Sequence, residues 1–355
     1  MKIALVSTYT NSCPPKNYGG EVYYWNLARI LGERGHEVHL FAPGGSKTPP
    51  NGYLHYIPST PDGMISYRIE PRLVSDYKDI ILSCDVVHDC SLDHIVAEQL
   101  KHCYGKKEIL STINGRTYYM PRPPFNVVTG SKWWQQDAKL SVNLNTEMVY
   151  WGVDTEFYTP GEEKEDYFLW IARFHPDKGL DLALDLAEFL GFKLKVAGSL
   201  QFTDHRAHGR TYLDRISKIK NVEYVELPLD STHHTAKREL MRKARAFIYP
   251  VQYQECFGMV VTEAMACGTP VIATKNGAMP ELIDHEVNGF LCDTKQDFVK
   301  AITERIPYFE EHKRYHAGFD IWKAAREKAL QFDVHKSVDE YIKLYERVVK
   351  GETWA

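Results

Sequence analysis

Short runs of β-branched and aromatic residues alternate along most of the chain with segments whose apolar positions recur every three or four residues. Runs at residues 2–7, 36–41, 53–57, 85–88, 108–113 and 127–130 predict strands in the first half. Runs at 167–172, 193–197, 222–225, 246–250 and 270–273 predict strands in the second. Apolar strands separated by helical stretches point to parallel sheets covered on both faces. The first helix, from 20 to about 33, shows the 3.6-residue period through Val22, Leu27, Ile30 and Leu31 and stops before Gly35. After the midpoint the pattern restarts: YFLWIARF leads through HPDKG into LDLALDLAEFLG. Residues 334–349 predict an amphipathic helix. In ECFGMVVTEAMACGTPVIAT, residues 255–274, a nearly apolar helix spans 258–267, yet Glu263 sits within it and Glu255 stands in the loop before it.

These two halves predict an α/β protein of two doubly wound domains, residues 1–153 and 154–332, followed by a C-terminal helix over 333–355. GVDTEFYTPGEEKEDY, rich in charge, Gly and Pro, reads as the linker. In such sheets a ligand lies beyond the carboxyl ends of the strands, often with phosphates at a helix N-terminus, so a ligand is expected between the halves. The composition is that of a soluble globular protein: 355 residues, 44% hydrophobic and 25% charged. A net charge of −4 argues against general affinity for nucleic acid or anionic membrane. No run approaches the roughly 20 apolar residues of a transmembrane segment, which leaves room only for peripheral membrane contact. MKIALVSTYT reads as a first strand and not a signal peptide. Seven scattered cysteines without a C-x-x-C pair read as reduced thiols, as in a cytoplasmic protein.

The loops after the strands hold the candidate chemistry. Gly19 and Gly20 stand directly before the first helix, where backbone N–H groups point outward; this fits an anion site or a plain helix-start turn. Arg173, then Lys178 five residues later, follow the first strand of the second half. Two cations there would neutralise a diphosphate, Arg by a planar fork and Lys as a point charge; two solvated surface cations are the alternative. Glu263, among Val260, Val261, Ala264 and Met265, needs hydrogen-bond donors if buried. A ribose with vicinal hydroxyls would supply them, and so would a Lys or Arg from elsewhere in the protein.

Together these pieces resemble the retaining glycosyltransferases of family 4, which have the GT-B fold. The resemblance rests on Glu255-x7-Glu263 followed by Ala-x-Ala-x-Gly-x-Pro-Val-Ile, and on Arg173 followed by Lys178-Gly179. It rests further on the Gly-Gly loop, on GVDTEFYTP and on NGAMPELIDHEVNGFL. It implies two Rossmann-like domains, with a nucleotide-diphosphate sugar held mainly by the C-terminal one, the acceptor mainly by the N-terminal one, and the last helix crossing back onto the N-terminal domain. Carried over by position, Arg173 and Lys178 would hold the diphosphate and, with Glu255, form the catalytic set. Glu263 would take the ribose hydroxyls and Glu255 the hydroxyls of the donor sugar. The backbone around Phe257, Gly258, Met259 and Val260, together with Gly19 and Gly20, would face the donor, and Pro228 would lie beside the base. The implied reaction moves a hexosyl group to an acceptor hydroxyl of a sugar, glycoside or lipid-linked compound, with retention and with no metal or other cofactor.

The chain departs from the family where sugar and acceptor are expected to meet. A His-x-His after the fourth strand is here His88-Asp89-Cys90, and a further His is replaced by Asn114, close to Arg116. Cys90 is expected to alter donor-sugar selection; His88 fits a structural histidine as well as a site residue. Tyr118, Tyr119, Arg122, Trp133 and Trp134 form an aromatic, basic segment suited to stacking on an acceptor or to core packing. Rival readings are a GT-B phosphorylase, a nucleotide-sugar epimerase and an inert nucleotide-sugar binder.

Overall fold

The computed structural model describes residues 1–9, 11–15, 20–57, 66–113, 125–198, 206–227, 233–312 and 320–354. The chain divides into two compact units, Met1–Gly152 with Val334–Ala355, and Val153–Asp333. Each is built on one parallel sheet.

In the first unit the strands are β1 (Lys2–Val6), β2 (Glu37–Pro43), β3 (Gly52–Ile57), β4 (Val86–Asp89), β5 (Ile109–Thr112), β6 (Asn126–Thr129) and β7 (Glu147–Met148). Their order across the sheet is β3-β2-β1-β4-β5-β6-β7. The second unit holds β8 (Phe168–Ile171), β9 (Leu194–Gly198), β10 (Val222–Glu226), β11 (Ala246–Tyr249), β12 (Val271–Thr274) and β13 (Gly289–Cys292), in the order β10-β9-β8-β11-β12-β13. Each sheet thus runs outward in both directions from its first strand, which is the doubly wound topology. The switch of direction falls between β1 and β4 in one unit and between β8 and β11 in the other.

Central strands are buried along their whole length: β4, β5, β8 and β11 have no exposed position. Helices on both faces explain their continuous apolar composition. Trp170 of β8 belongs to one buried cluster with Leu184 and Ala187 of the helix Leu180–Leu190 and with Ile248 of β11 and Ile272 of β12. Each such large side chain contributes roughly 1.5–3 kcal/mol by leaving water. Two strands escape the periodicity reading. β7 has only two residues, and β13 carries Gly289, whose Cβ-less backbone passes close to Val271.

The segment read as a linker is packed into the second unit. Tyr158 is 3% exposed, and the Arg326 guanidinium donates to the carbonyls of Thr155, Tyr158 and Ala266 at 2.7–2.9 Å. Its charged residues are largely exposed: Glu162, Glu163, Glu165 and Asp166 face solvent. The helix Val334–Val349 lies with the first unit, where the Tyr345 hydroxyl meets His88 Nδ1 at 2.7 Å and the Tyr341 hydroxyl meets Thr112 Oγ1 at 2.8 Å. Among the described residues no helix is long and apolar enough to cross a membrane, and none of the seven cysteines is disulfide-bonded.

Candidate functional site

The loops after β8 and β11 flank the switch point of the second sheet and meet there. After β8 the chain makes one 3-10 turn, Pro176–Lys178, started by the His175 side chain accepting from Asp177 N at 3.3 Å. Gly179 ends that turn at φ 70°, and a Cβ there would lie 1.8 Å from Pro250 O. Only glycine allows the two loops to approach so closely. Asp177 O accepts from Gln252 N at 2.7 Å and Lys178 O from Trp170 Nε1 at 3.2 Å, so the turn is tied to both strands.

This geometry places Lys178 Nζ 3.1 Å from Glu255 Oε2 and 3.0 Å from the Tyr249 hydroxyl, with the Tyr253 hydroxyl as a third partner. Both tyrosine hydroxyls donate to the same oxygen, Glu255 Oε2, at 2.6 Å each. Burial pushes the Glu255 carboxyl up, but the Lys178 charge and the two hydroxyls outweigh it and hold it below the usual carboxylate range. At Lys178 burial prevails over Glu255, Arg173 adds to it, and the ammonium lies below the usual lysine range. The ion pair favours both charges, but only the carboxylate has two further donors, while the ammonium has a neighbouring cation. Arg173 is exposed and forms no side-chain hydrogen bond or ion pair among the described residues. Two cations and one carboxylate leave the cluster with a net positive charge, suited to an anion.

The helix Met259–Ala266 starts at the same place. Its N-cap, Gly258, has φ 97° and brings no side-chain cap, so the first-turn N–H groups near Met259 and Val260 are left to solvent or ligand. The Phe257 side chain is instead core, buried to 2% and edge-on to Phe332 at 6.0 Å.

Glu263 needs correction against its expected role. It lies in a buried ion pair, with Lys237 Nζ 2.9 Å from both carboxylate oxygens and the Tyr158 hydroxyl 3.0 Å from Oε1. Both charged side chains are 4% exposed. In this structure Lys237 and Tyr158 supply the kind of donors expected of a ribose, and the carboxylate is nearly closed to solvent. Sequence reasoning missed Lys237, which lies on another helix, and also Tyr249 and Tyr253. The two tyrosines had a signal: Tyr249 ends β11 and Tyr253 falls within the following loop, which already held Glu255.

In the first unit, His88 and Cys90 are both 0% exposed. His88 Nε2 meets Thr112 Oγ1 at 2.7 Å while Nδ1 meets Tyr345, so both ring nitrogens are engaged. This structure closes His88 and Cys90 into the core of the first unit, whereas a place beside a sugar was expected of them. Trp134 is likewise core, 1% exposed and edge-on to Trp151. Gly20 opens the first helix, and a Cβ there would lie 3.4 Å from Trp151 Cη2. Gly19, Asn114, Arg116, Tyr118, Tyr119, Arg122 and Pro228 lie outside the described residues.

Burial lowers the His88 pKa to about 3, with His94 adding to the effect. An unfolded His88 takes its proton near pH 6.5 and the folded one does not, so the group removes stability as pH falls from 6.5 towards 3. Glu70, raised to about 8 by burial and by Asp89, acts with the opposite sign: its stability is present below the unfolded value and is lost as pH rises through 8. The His88 contribution therefore shows as a difference between variants. The cost of His88→Asn, measured by urea unfolding, is expected to shrink by roughly 2–3 kcal/mol between pH 7 and pH 4.5. A constant cost would mean that folded His88 takes up its proton at the same pH as the unfolded chain.

Comparison with known proteins agrees with this architecture. The family described as Glycosyltransferase Family 4 matches residues 18–139, and that described as Glycosyl transferases group 1 matches residues 154–317. The chain is 24% identical to the N-acetyl-alpha-D-glucosaminyl L-malate synthase of Bacillus anthracis, with 96% of this chain and 97% of that one covered. Among solved structures, the sucrose-phosphate synthase of Thermosynechococcus elongatus superposes with TM-score 0.77 at 18% identity, covering 99% of this chain and 100% of that one. Anabaena HepE, solved in complex with UDP and glucose, superposes with TM-score 0.75 at 19% identity, covering 98% and 99%. The two matched families between them span most of the chain, and the solved neighbours share its two-sheet fold. The chain belongs to the group 1 glycosyltransferases with a family 4 N-terminal half, and it is a glycosyltransferase of GT-B fold.

Proposed function

We propose that this enzyme transfers a hexosyl group from a uridine-diphosphate sugar to an acceptor hydroxyl, with retention of configuration and without a metal. One observation carries the reading: Lys178 and Glu255 meet beside exposed Arg173, at the carboxyl ends of the two strands flanking a switch point. UDP is the first nucleotide to test because HepE was solved with it.

As the bond from anomeric carbon to phosphate breaks, negative charge grows on the diphosphate and positive charge on the sugar ring. Arg173, Lys178 and the N–H groups at Met259 and Val260 are the fixed positive groups for the former, and one such donor is typically worth about 2.7–4 kcal/mol. Lys178 has three partners in the protein and gives up one to reach a phosphate oxygen. Glu255 would accept from a sugar hydroxyl and oppose the charge on the ring. The acceptor attacks on the face the diphosphate leaves, and the departing phosphate oxygen takes its proton, so no dedicated protein base is required.

A thermal-shift panel of UDP, GDP and ADP and their sugars tests this reading. Uridine compounds at 100 times their dissociation constant should add about 2.7 kcal/mol to stability, and a UDP-sugar should be turned over. Binding without turnover would leave an inert binder, and phosphate-dependent cleavage of a disaccharide would make the enzyme a phosphorylase. Turnover is expected to persist in excess EDTA, because two cations and a helix terminus occupy the metal's electrostatic role. Loss in EDTA restored by magnesium or manganese would refute that part.

A further inference from the structure

Resting on the transferase reading, we propose that Tyr249 and Tyr253 are positioning residues that divide the two oxygens of Glu255 between tasks: Oε2 is held by the protein, and Oε1 is kept for a ligand hydroxyl. Every donor that the described residues bring to this carboxylate goes to one oxygen. Lys178 Nζ lies 3.1 Å from Oε2, and the Tyr249 and Tyr253 hydroxyls lie 2.6 Å from it. Among the described residues no hydrogen bond reaches Oε1. A carboxylate oxygen has about two lone-pair sites, so three donors saturate Oε2 and leave the acceptor capacity of Oε1 unused. The Glu255 side chain is 13% exposed, which leaves that second oxygen a way out.

The arrangement also blocks rotation. Exchanging the two oxygens would break three charge-assisted hydrogen bonds at once. Tyr249 is 1% exposed at the end of β11, a strand paired with β8 and β12, so its ring is fixed by the sheet. Tyr253 is anchored differently, with Lys178 Nζ over its ring at 4.6 Å and bonded to its hydroxyl. Burial and the Glu255 charge raise both phenols, so they remain protonated donors across the working pH range. The charged and titratable groups around Glu255 are Lys178 and Arg173 from the loop after β8, and Tyr249, Tyr253 and Cys256 from β11 and its loop. An oxygen with no donor from the protein can only accept. It therefore selects ligands offering a hydroxyl at that point and discriminates against those lacking it.

The test compares Tyr249→Phe and Tyr253→Phe with Tyr167→Phe, which removes the hydroxyl of another buried tyrosine, bonded to Leu240 O and away from the site. Phenylalanine keeps the ring, and melting temperatures check the fold. In the unliganded proteins, carbon-13 NMR of labelled glutamate, assigned with Glu255→Gln, follows the titration of Glu255. Both site variants should move it to higher pH, because each removes a donor to the charged form; the control should not. With the donor sugar, kcat should fall about tenfold in each site variant, with the acid limb of kcat moved to higher pH and KM little changed. A Glu255 titration unmoved in both variants overturns the proposal whatever the activity. A moved titration with kcat and its acid limb unchanged overturns the positioning role. Wild-type enzyme that turns over no nucleotide sugar, together with a moved titration, removes the transferase reading and leaves the division of the carboxylate standing.

Discussion

Replacing Lys178 by alanine is expected to cut turnover at least about a hundredfold, a loss of roughly 2.7 kcal/mol of transition-state stabilisation. The ammonium is held 12% exposed by two tyrosines and a carboxylate, so it reaches a transferring diphosphate without reorganising a loop. Charge that develops as a bond breaks is stabilised most by groups already in place. The loss should therefore appear in kcat, with a smaller change in KM. Lys178→Ala also leaves Glu255 without its counter-charge, so that variant should lose activity further as pH falls. Arg173→Ala provides the cleaner comparison. Its side chain is exposed and unbonded among the described residues, so the variant should keep its melting temperature while losing about a hundredfold in rate. Near-normal turnover in both purified variants would sink the assignment of the diphosphate site.

Lys237→Ala should destabilise the protein by about 3–5 kcal/mol, read by urea unfolding at neutral pH. The pair it breaks is buried, with both side chains 4% exposed, and both Glu263 oxygens lie 2.9 Å from the ammonium. Removing the cation leaves a carboxylate that has, among the described residues, only the Tyr158 hydroxyl as donor, in an apolar helix packing. The charge must then be protonated or hydrated, and both cost free energy. Replacing both partners in Lys237→Met/Glu263→Gln should recover most of the loss, because no uncompensated charge remains. A cost below about 1 kcal/mol for Lys237→Ala would mean that Glu263 finds another donor, such as water or a ligand, and would restore its expected role towards a ribose.

Strands and helices of the doubly wound sheets were legible along the chain because burial on both faces imposes continuous apolar runs, and one-sided packing imposes a 3.6-residue period. The helices Gly20–Glu33 and Val334–Val349 and eleven of the strands follow from that alone. β7 and β13 do not: the one is too short for any period, and the other depends on a close backbone approach at Gly289. Arg173, Lys178, Glu255 and Gly258 were legible for a different reason. Loops after parallel strands converge wherever the sheet reverses its winding, so charged residues at those chain positions are neighbours before any coordinates are known. Which partner each charge takes was decided only in three dimensions. Glu263 and Lys237 are 26 residues apart on different helices, and no local pattern distinguishes a carboxylate that meets a lysine from one that meets a ligand. The same holds for His88, whose neutral, fully bonded state depends on Tyr345, 257 residues away. Hydrophobic periodicity is a local property of the chain, whereas the satisfaction of a buried polar group depends on every element packed around it.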